Sequence, residues 1–318
     1  MRESEMKALV IGEALTDIVP GGPGGPGGPG QAGVSEYPGG SPMNVAVALG
    51  RLGRAVEFAS WIGPDARGRA IEAHLAESKV ALAAGARRAD RTSSAAVSLD
   101  AQGQAQYVFD LLWDFEPPAS LAGVAAVHTG SLATVQAPGA AKVAGFVEGL
   151  KARPDQGPTV TFDPNLRPSV VRDPAAARPL LERLVTASDV VKASDEDLAY
   201  LYGGRDPEAT AADWLAAGPA LVVVTRGGRG AQAWWRGGRA ELAASPARVV
   251  DTVGAGDTFM AGLIDGLWSQ GLLGADRRPA LQGLGPDQAA AALERAARAA
   301  AVTVSRAGAN PPWAFELA

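Results

Sequence analysis

The residues with the clearest capacity for chemistry lie in one short segment, DTVGAGDTFMAGLIDGLW, residues 251–268. Its large apolar residues recur with the spacing of one helix face, which predicts a helix beginning near Asp257. Almost no side chain precedes that helix at Gly254, Ala255 and Gly256, so backbone N–H groups can point into one concavity at the positive end of the helix dipole. Such a concavity suits a phosphate group.

Asp257 stands at the rim of this concavity. A carboxylate repels phosphate oxygens, so Asp257 is poorly explained as a phosphate ligand, but it can accept a proton from a hydroxyl that attacks phosphorus. The alternative is that Asp257 only caps the helix. Two glycines around an alanine, with a second acid at Asp251, are more than a cap requires. The segment therefore indicates phosphoryl transfer.

The elements that must position this segment follow an alternating pattern. Short apolar runs predict strands near residues 7–11, 56–61, 124–128, 159–163, 189–192 and 220–225. Segments with the periodicity of helices lie between these runs. This alternation is typical of βαβ units with a mainly parallel sheet, and so of an α/β fold. In such sheets ligands bind beyond the carboxyl ends of the strands.

Two segments break the pattern. Residues 91–109 predict two strands around a polar turn at 100–103, a hairpin that can form a lid. The repeat GGPGGPGGPG at residues 21–30 literally contains G-x-G-x-x-G, but prolines fill its gaps and no helix follows, so it is not a dinucleotide-binding motif. A nicotinamide-dependent oxidoreductase thus lacks its fingerprint, and a P-loop is also absent. We interpret the repeat as a flexible or polyproline-like loop of the lid.

Composition sets outer limits on function. The 318 residues, 47% hydrophobic, allow one large α/β domain or two small ones. A net charge of -5 argues against nucleic acid as a partner. The chain has no cysteine, which excludes disulfides and thiolate catalysis. Because the N-terminus carries acids and no long apolar stretch, we expect neither a signal peptide nor a membrane span, and a cytoplasmic location.

Several motifs in order resemble those of the PfkB-type (ribokinase) carbohydrate kinase family. DTVGAGD resembles the C-terminal signature of that family, and GGSPMNVAVALGRLG (39–53) resembles its N-terminal sugar-binding motif. Further similar segments, the middle ones closest to the fructokinase branch, are IGEALTDIVP (11–20), HTGSLA (128–133), FDPNLRP (162–168), DVVKASDEDL (189–198), VVVTRGGRGA (222–231) and SRAGANPP (305–312). The resemblance extends over almost the whole chain.

This resemblance implies a ribokinase-like fold and a kinase activity. The fold would be a single domain, residues 1–318, with a mainly parallel sheet between helices and a small β-sheet lid from segments near 13–40 and 91–115. The activity would transfer the γ-phosphoryl group of MgATP to a primary hydroxyl of a small sugar. Fructose is the first candidate sugar, although residues 107–115 lack the aromatic-glycine pattern expected of fructokinases.

Other functions remain open on the same fold. The sugar could be 2-keto-3-deoxygluconate or ribose, or the substrate could be a nucleoside. From a different class, the chain could be a non-catalytic sugar-binding regulator, against which the intact Asp257 argues. The resemblance also implies that the lid supplies a homodimer contact.

The resemblance makes five residues contacts of the substrate: Asp17, Gly39, Gly40, Asn44 and Arg167. Asp17 alone would be an ordinary carboxylate at a strand end, and the resemblance implies that it accepts hydrogen bonds from two sugar hydroxyls. Ser41 is predicted to cap a helix that begins at Pro42, which places Asn44 in the first turn.

Seven residues are expected to contact the nucleotide or the phosphates: Asn165, Lys192, Thr225, Arg226, Gly227, Gly230 and Asn310. Asp-Pro-Asn by itself is a turn former, and the family match is what makes Asn165 and Arg167 contacts near the phosphate or the sugar. The glycine-rich turn after residue 225 could equally be a tight turn between two strands.

Two metal sites follow from the resemblance. Many relatives carry an N-x-x-E motif that organises magnesium-bound water, whereas this chain has Ser194 and Asp197 at those positions. Asp197 is one methylene shorter than Glu, so either it reaches Mg²⁺ through water or Glu196 compensates.

The second site would hold potassium between Asp251, the carbonyl of Val253 and the turn from Ser305 to Asn310. The alternative is that Asp251 caps a strand end and that the SRAGAN segment is only a turn near the end of the chain.

Overall fold

The computed structural model of the protein describes residues 6–20, 34–99, 105–153 and 157–317. The Gly/Pro repeat at 21–30 and the turn at 100–103 lie outside the described residues. Thirteen strands are described: β1 (Lys7–Ile11), β2 (Leu15–Pro20), β3 (Val34–Gly39), β4 (Ala55–Ala59), β5 (Val80–Leu82), β6 (Ser93–Leu99), β7 (Ala105–Asp110), β8 (Val124–Gly130), β9 (Thr159–Asp163), β10 (Val190–Ser194), β11 (Leu221–Thr225), β12 (Ala231–Trp235) and β13 (Gly238–Leu242).

Nine α-helices connect or flank the strands in the described part of the chain. They are α1 (Ser41–Arg51), α2 (Ala66–Glu77), α3 (Gly139–Lys151), α4 (Pro174–Ala187), α5 (Asp195–Tyr202), α6 (Pro207–Ala217), α7 (Ala255–Ser269), α8 (Arg278–Gln282) and α9 (Pro286–Val304). Among these residues no helix is both long enough and apolar enough to cross a membrane.

The large sheet has nine strands in the order β13-β12-β11-β10-β9-β8-β1-β4-β5. All neighbours pair in parallel except β11 with β12 and β12 with β13. One face packs against α1, α7 and α9, and the other against α3, α4 and α6, so the sheet is buried on both sides. The six strands expected from the sequence are all present, with ends that differ by at most two residues, and the expected mainly parallel α/β fold is confirmed.

A separate small sheet has the order β3-β2-β6-β7. β6 and β7 pair as an antiparallel hairpin, as the sequence predicts, and β2 joins β6 in parallel. β3 returns antiparallel to β2 and ends at Gly39, one residue before the cap of α1. The small sheet is therefore joined by a very short connection to α1, the helix that begins in GGSPMN.

α7 is fixed against α9 by close helix packing. A Cβ at Gly262 would lie 2.7 Å from Cα of Ala296, and one at Gly266 would lie 2.8 Å from Cα of Ala292. These glycines let the two helices approach more closely than side chains would permit. The packing determines where the N-terminus of α7 stands relative to the ends of β9, β10 and β11.

Candidate active site

The carboxylate of Asp257 is the meeting point of three chain segments. Ser41 Oγ donates to Asp257 Oδ1 at 2.7 Å, Asn44 Nδ2 donates to Oδ2 at 2.8 Å, and Asn165 Nδ2 donates to Oδ1 at 3.2 Å. Asp257 is buried, with 6% of its surface exposed. Several donors around one buried carboxylate fix the orientation of the oxygens that could accept a proton.

Ser41 has a different role from the one expected. The cap of α1 is Gly40, whose φ of 113° favours glycine, and Ser41 is the first helical residue. Its hydroxyl makes no capping hydrogen bond and instead donates to Asp257. The sequence placed Asn44 correctly in the first turn, but the direct contact of Ser41 with Asp257 was missed. Its position within GGSPMN, three residues before Asn44, was the available signal, since residues three apart share a helix face.

The turn after β9 brings Asn165 and Arg167 to the same place. Asn165 has a φ of 35°, an uncommon value for a residue with a side chain. Its Nδ2 donates to Ser41 Oγ at 2.6 Å, while its Oδ1 accepts from Arg167 Nη1 at 2.7 Å. The amide thus links Ser41 to the guanidinium, and the strained backbone is held by contacts on both sides of its side chain.

The anion-binding concavity is smaller than the sequence suggests. α7 begins at Ala255, whose N–H donates to the Thr252 carbonyl at 3.2 Å, so this N–H is already used. The N–H groups of Gly256 and Asp257 have no acceptor among the described residues and remain available to an anion. Gly254, with φ 73°, caps the helix in the left-handed conformation.

Lys192 supplies a cation directly below this helix end. Its Nζ donates to Asp163 Oδ2 at 2.7 Å and lies 3.4 Å from the Gly256 carbonyl oxygen. Burial alone would lower the pKa of Lys192, but attraction to Asp163, and then to Asp197 and Asp257, outweighs burial and raises it. The ammonium therefore stays charged, and Asp163 is a second residue whose part in the site the sequence did not reveal.

A cavity of about 730 Å³ extends from this end of α7 along the carboxyl ends of the strands. Asp257 is not among its lining residues and faces α1 instead. Of the residues expected to contact nucleotide, phosphate or metal, the cavity is lined by Asn165, Arg167, Lys192, Glu196, Asp197, Thr225, Gly227, Gly230, Ala255 and Gly256. Asp257 thus lies between this cavity and the small sheet.

Two residues expected at the nucleotide are held elsewhere. Arg226 Nη2 donates to Glu241 Oε1 at 2.6 Å, and Arg226 does not line the cavity. Asn310 Oδ1 accepts from Arg51 Nη1 at 2.6 Å and does not line the cavity either. In both cases an ion pair or a charged hydrogen bond holds the side chain outside the cavity.

Both carboxylate oxygens of Asp197 accept hydrogen bonds from nearby residues of the protein. Its Oδ2 accepts from the backbone N–H and the hydroxyl of Ser194, and its Oδ1 accepts from the N–H of Leu166 at 2.7 Å. The first set is a capping box at the start of α5. Asp197 is thereby a structural link, whereas the neighbouring Glu196 is exposed and lines the cavity. Within the described part, no group of three or more His, Asp or Glu side chains is arranged to hold a metal.

The two loops expected to hold a monovalent cation do meet. Asp251 Oδ2 accepts from the N–H of Gly308 at 2.8 Å, and its Oδ1 accepts from the N–H of Val253 at 3.0 Å. The carbonyl oxygens of Val253 and Ser305 accept no hydrogen bond from the described residues. These carbonyls are oxygen ligands of the type a hard cation requires, and Asp251 supplies the charge nearby.

Asp17 and Gly39 lie on the side of Asp257 that faces away from the cavity. A Cβ at Gly39 would lie 2.1 Å from Asp17 Oδ2, so the glycine makes room for the carboxylate. Burial raises the pKa of Asp17 to about 6, the proximity of Arg167 opposes this, and the charge of Asp257 adds to it. Asp17 accepts no hydrogen bond from the described residues, which leaves its oxygens open to a ligand's hydroxyls.

Glu13, on the same side, was also missed. Its Oε2 accepts from the N–H of Ala133 at 2.9 Å, and burial raises its pKa to about 7 against the hydrogen bonds that lower it. A Cβ at Gly40 would lie 2.6 Å from the Glu13 carbonyl, so this buried acid stands beside the cap of α1. A lone acid after the first strand carries no spacing signal from which a sequence could assign it.

Comparison with known proteins accounts for this arrangement. The model of the pfkB family carbohydrate kinases matches residues 6–315. The chain belongs to the pfkB family of carbohydrate kinases. The match covers nearly the whole chain and therefore includes both sheets, the helix α7 and the loop after α9.

Fructokinases are prominent among its relatives. A fructokinase from Klebsiella pneumoniae is 34% identical over 274 residues, 84% of this chain and 86% of that protein. A fructokinase from Rhizobium leguminosarum bv. trifolii is 33% identical over 272 residues, 83% of this chain and 81% of that protein.

Solved structures of fructokinases are also similar to this chain. The fructokinase from Xylella fastidiosa with bound ATP has a TM-score of 0.77 at 28% identity, over 95% of this chain and 93% of that one. A double mutant of the fructokinase from Vibrio cholerae O395, with fructose, ADP and potassium ion bound, has a TM-score of 0.74 at 27% identity, over 97% and 95%. The expected ribokinase-like fold is confirmed.

The first prediction concerns the cap of α7. Gly254 has φ 73°, and a Cβ there would lie 2.6 Å from Cβ of Ala309, in the turn after α9. Gly254→Ala should lower the free energy of unfolding by more than the roughly 1–2 kcal/mol that the left-handed conformation alone costs an alanine. Urea unfolding measures the loss. Gly203→Ala is the matched control, because Gly203 has φ 65° and nothing within 4 Å. Equal losses in the two variants would contradict the clash with Ala309.

Proposed function

We propose that this protein is an ATP-dependent sugar kinase that transfers the γ-phosphoryl group of ATP to a primary hydroxyl, with fructose as its substrate. The observation that carries the proposal is the position of Asp257. Its carboxylate is oriented by three donors on one side of the α7 N-terminus, and free N–H groups and the cavity lie on the other. A sugar and a nucleotide bound on these two sides would meet at this carboxylate.

In the proposed mechanism Asp257 accepts the proton of the attacking hydroxyl. The hydroxyl oxygen forms the new bond to phosphorus as the bond between phosphorus and the β–γ bridging oxygen breaks, and ADP leaves. Ser41, Asn44 and Asn165 hold the carboxylate so that its proton acceptance coincides with attack. Asp17 binds neighbouring sugar hydroxyls and sets the orientation of the substrate.

Negative charge that develops on the transferred group is stabilised at the N-terminus of α7. The N–H groups of Gly256 and Asp257 are fixed in direction before the reaction, so they need no reorganisation as the charge moves. Arg167 and Lys192 add cationic charge on the two sides of this helix end. Thr225, Gly227 and Gly230 form the far wall of the cavity, where the rest of the nucleotide would lie.

The residues present fit a magnesium ion that is held mainly by phosphates and water. Mg²⁺ commonly takes only one or two carboxylates from a protein and keeps several waters, so a dedicated cluster is unnecessary. Glu196 is the exposed carboxylate on the cavity wall, and we assign it the contact to magnesium-bound water. A magnesium ion bound there would neutralise negative charge on the phosphates.

Fructose is favoured because two relatives at 33–34% identity are fructokinases. Another sugar or a nucleoside would use the same base and helix end, and the small sheet decides among them. A coupled ADP-release screen tests the proposal across hexoses, pentoses, sugar phosphates, keto-acids and nucleosides. Highest kcat/KM for fructose is the expected result. Turnover of a different acceptor would correct the substrate, and no turnover with sugar binding would favour the non-catalytic regulator.

The second prediction tests the base. Asp257→Asn keeps the shape of the side chain but removes the proton acceptor, so turnover should fall by about 10² to 10⁴ while sugar binding is retained. Steady-state kinetics and calorimetric sugar binding measure the two effects separately. Near-normal turnover of the purified variant would rule out Asp257 as the base.

The third prediction concerns pH. The pKa of Asp17 is raised to about 6, so above this value its carboxylate is ionised and can accept hydrogen bonds from sugar hydroxyls. As pH falls through about 6 the carboxylate is protonated, and the KM for the sugar should rise. Glu13 and Asp163 also have raised pKa values near this range, so the control is Asp17→Asn. If the increase in KM at low pH persists unchanged in that variant, another group causes it.

The fourth prediction concerns the monovalent cation. We propose that potassium binds between the Val253 and Ser305 carbonyls beside Asp251, supported by the contact of the two loops and by the packing of Ala309 on Gly254. Turnover should rise when potassium replaces a bulky organic cation at constant ionic strength. In Asp251→Ala this rise should disappear. A rate that does not depend on the cation would leave Asp251 as a link between the loops.

The fifth prediction concerns assembly. We propose that the small sheet supplies a homodimer contact, because it exposes Val34, Tyr37 and Val108 at 66%, 37% and 60%. Sedimentation equilibrium should show a dimer, and Val34→Glu with Val108→Glu should shift it to the monomer. A monomeric wild-type protein at micromolar concentration would contradict this contact.

A further inference from the structure

The ion pair between Asp163 and Lys192 lies under the helix end. Asp163 is the last residue of β9 and Lys192 is in the adjacent parallel strand β10. Their side chains are 1% and 3% exposed, and the Lys192 Nζ to Asp163 Oδ2 distance is 2.7 Å. Burying two charges is costly, and replacing such a pair by apolar side chains is often neutral or stabilising. Fold stability therefore does not explain why this ion pair lies under the helix end.

Asp163 differs from Asp189, another buried acid at the large sheet. Asp189 Oδ1 accepts from Lys151, and its Oδ2 accepts from Arg278 and from the N–H of Val160, so it links several segments. Asp163 Oδ2 has Lys192 as its partner, and its buried Oδ1 has no hydrogen-bond partner among the described residues. Because buried acceptors are normally satisfied, an acid placed for stability would be expected to have further donors.

The surroundings of Lys192 are strongly charged. Asp163, Asp197 and Asp257 face it from β9, α5 and α7, and His128 faces it from β8. Burial, followed by the charge of Lys192, lowers the pKa of His128 to about 3, so the imidazole is neutral at ordinary pH. Of the three carboxylates, Asp163 is the one hydrogen-bonded to the ammonium. Asp163 is thus the main support of the charge on Lys192 against burial.

Gly256 leaves this ammonium open toward the cavity. A Cβ at Gly256 would lie 3.2 Å from Lys192 Nζ, with no other atom within 4 Å. Gly256 is not among the positive-φ residues, so its backbone conformation does not itself require glycine. Lys192 and Gly256 both line the cavity. The missing side chain keeps one side of the ammonium uncovered, and an ammonium has three N–H donors.

We propose that Asp163 is a positioning residue that holds the Lys192 ammonium beneath Gly256, so that the ammonium donates through this gap to the transferred phosphoryl group. This proposal rests on the proposed kinase function. It assigns a role to Asp163, which does not itself touch the substrate, and it gives a reason for the glycine at position 256. Lys192 then moves no proton; it stabilises charge on the phosphoryl oxygens as that charge changes.

The pH profile of Asp163→Asn tests the role of the negative charge. Without it, burial should lower the pKa of Lys192, so the alkaline limb of kcat should move down by about one pH unit or more. Asp163→Glu, which keeps the charge, should restore the wild-type limb in part. Asp189→Asn is the control, since it removes a buried paired acid far from the cavity and should lower stability without moving the limb. An alkaline limb unchanged in Asp163→Asn would overturn the proposal.

Gly256→Ala supplies a second measurement that does not depend on how well Asp163→Asn folds. Its Cβ should cover the ammonium and weaken binding of a non-hydrolysable ATP analogue at least about tenfold, with a much smaller effect on ADP. Gly145→Ala is the control, because Gly145 lies on an exposed face of α3 with nothing within 4 Å. Equal affinity of Gly256→Ala and wild type for the analogue would overturn the proposal.

Measurements of analogue binding and of turnover distinguish failure of the positioning role from failure of the kinase function. If wild-type protein phosphorylates no acceptor, the kinase proposal fails in the substrate screen. The analogue-binding comparison still shows whether Lys192 recognises the third phosphate through the gap at Gly256. If turnover is normal and the Asp163 and Gly256 variants behave like wild type, only the positioning role fails.

Discussion

Convergence of hydrogen-bond donors on the Asp257 carboxylate is the constraint on which the site depends. The donors come from α1 and from the turn after β9, 216, 213 and 92 positions away in the sequence. A buried carboxylate without donors would be expensive, so these contacts fix three segments relative to one another. Packing of α7 on α9 through Gly262 and Gly266 supports the arrangement from behind, because it sets the position of the helix that carries Asp257.

The electrostatics around the N-terminus of α7 follow from the same geometry. Three carboxylates, Asp163, Asp197 and Asp257, would repel a nucleotide phosphate if they acted alone. Asp163 is paired with the Lys192 ammonium, and Asp197 accepts hydrogen bonds from Ser194 and from the N–H of Leu166, so both carboxylates have local partners. The helix dipole and the free N–H groups then present a positive end to the cavity. The Asp257 carboxylate faces α1 rather than the cavity.

Much of the fold could be predicted from the sequence because it depends on local pattern. Apolar runs of strand length, separated by helical patterns, gave the parallel sheet, and the run at 91–109 gave the β6–β7 hairpin. The helix that carries Asp257 was also predictable, since GAGD places small residues and an acid within one turn. The hydrogen-bond partners of individual polar side chains were not predictable. Arg226 and Asn310 lie in matching motifs, yet Glu241 and Arg51, which are distant in the sequence or on another strand, take their polar atoms. The Ser41 and Asp163 contacts depend on strand register and helix packing, which no single motif encodes.

The departure from the family pattern at Asp197 has a structural consequence that its chemistry alone would not suggest. The shorter side chain folds back on Ser194 to close a capping box, and its other oxygen holds the N–H of Leu166. Leu166 directly follows Asn165, whose φ of 35° requires external support. Asp197 therefore helps to keep Asn165 in the conformation in which its amide reaches Ser41 and Asp257. The Asp197 carboxylate thus stabilises the turn that reaches Asp257, and Glu196 is left exposed on the cavity wall.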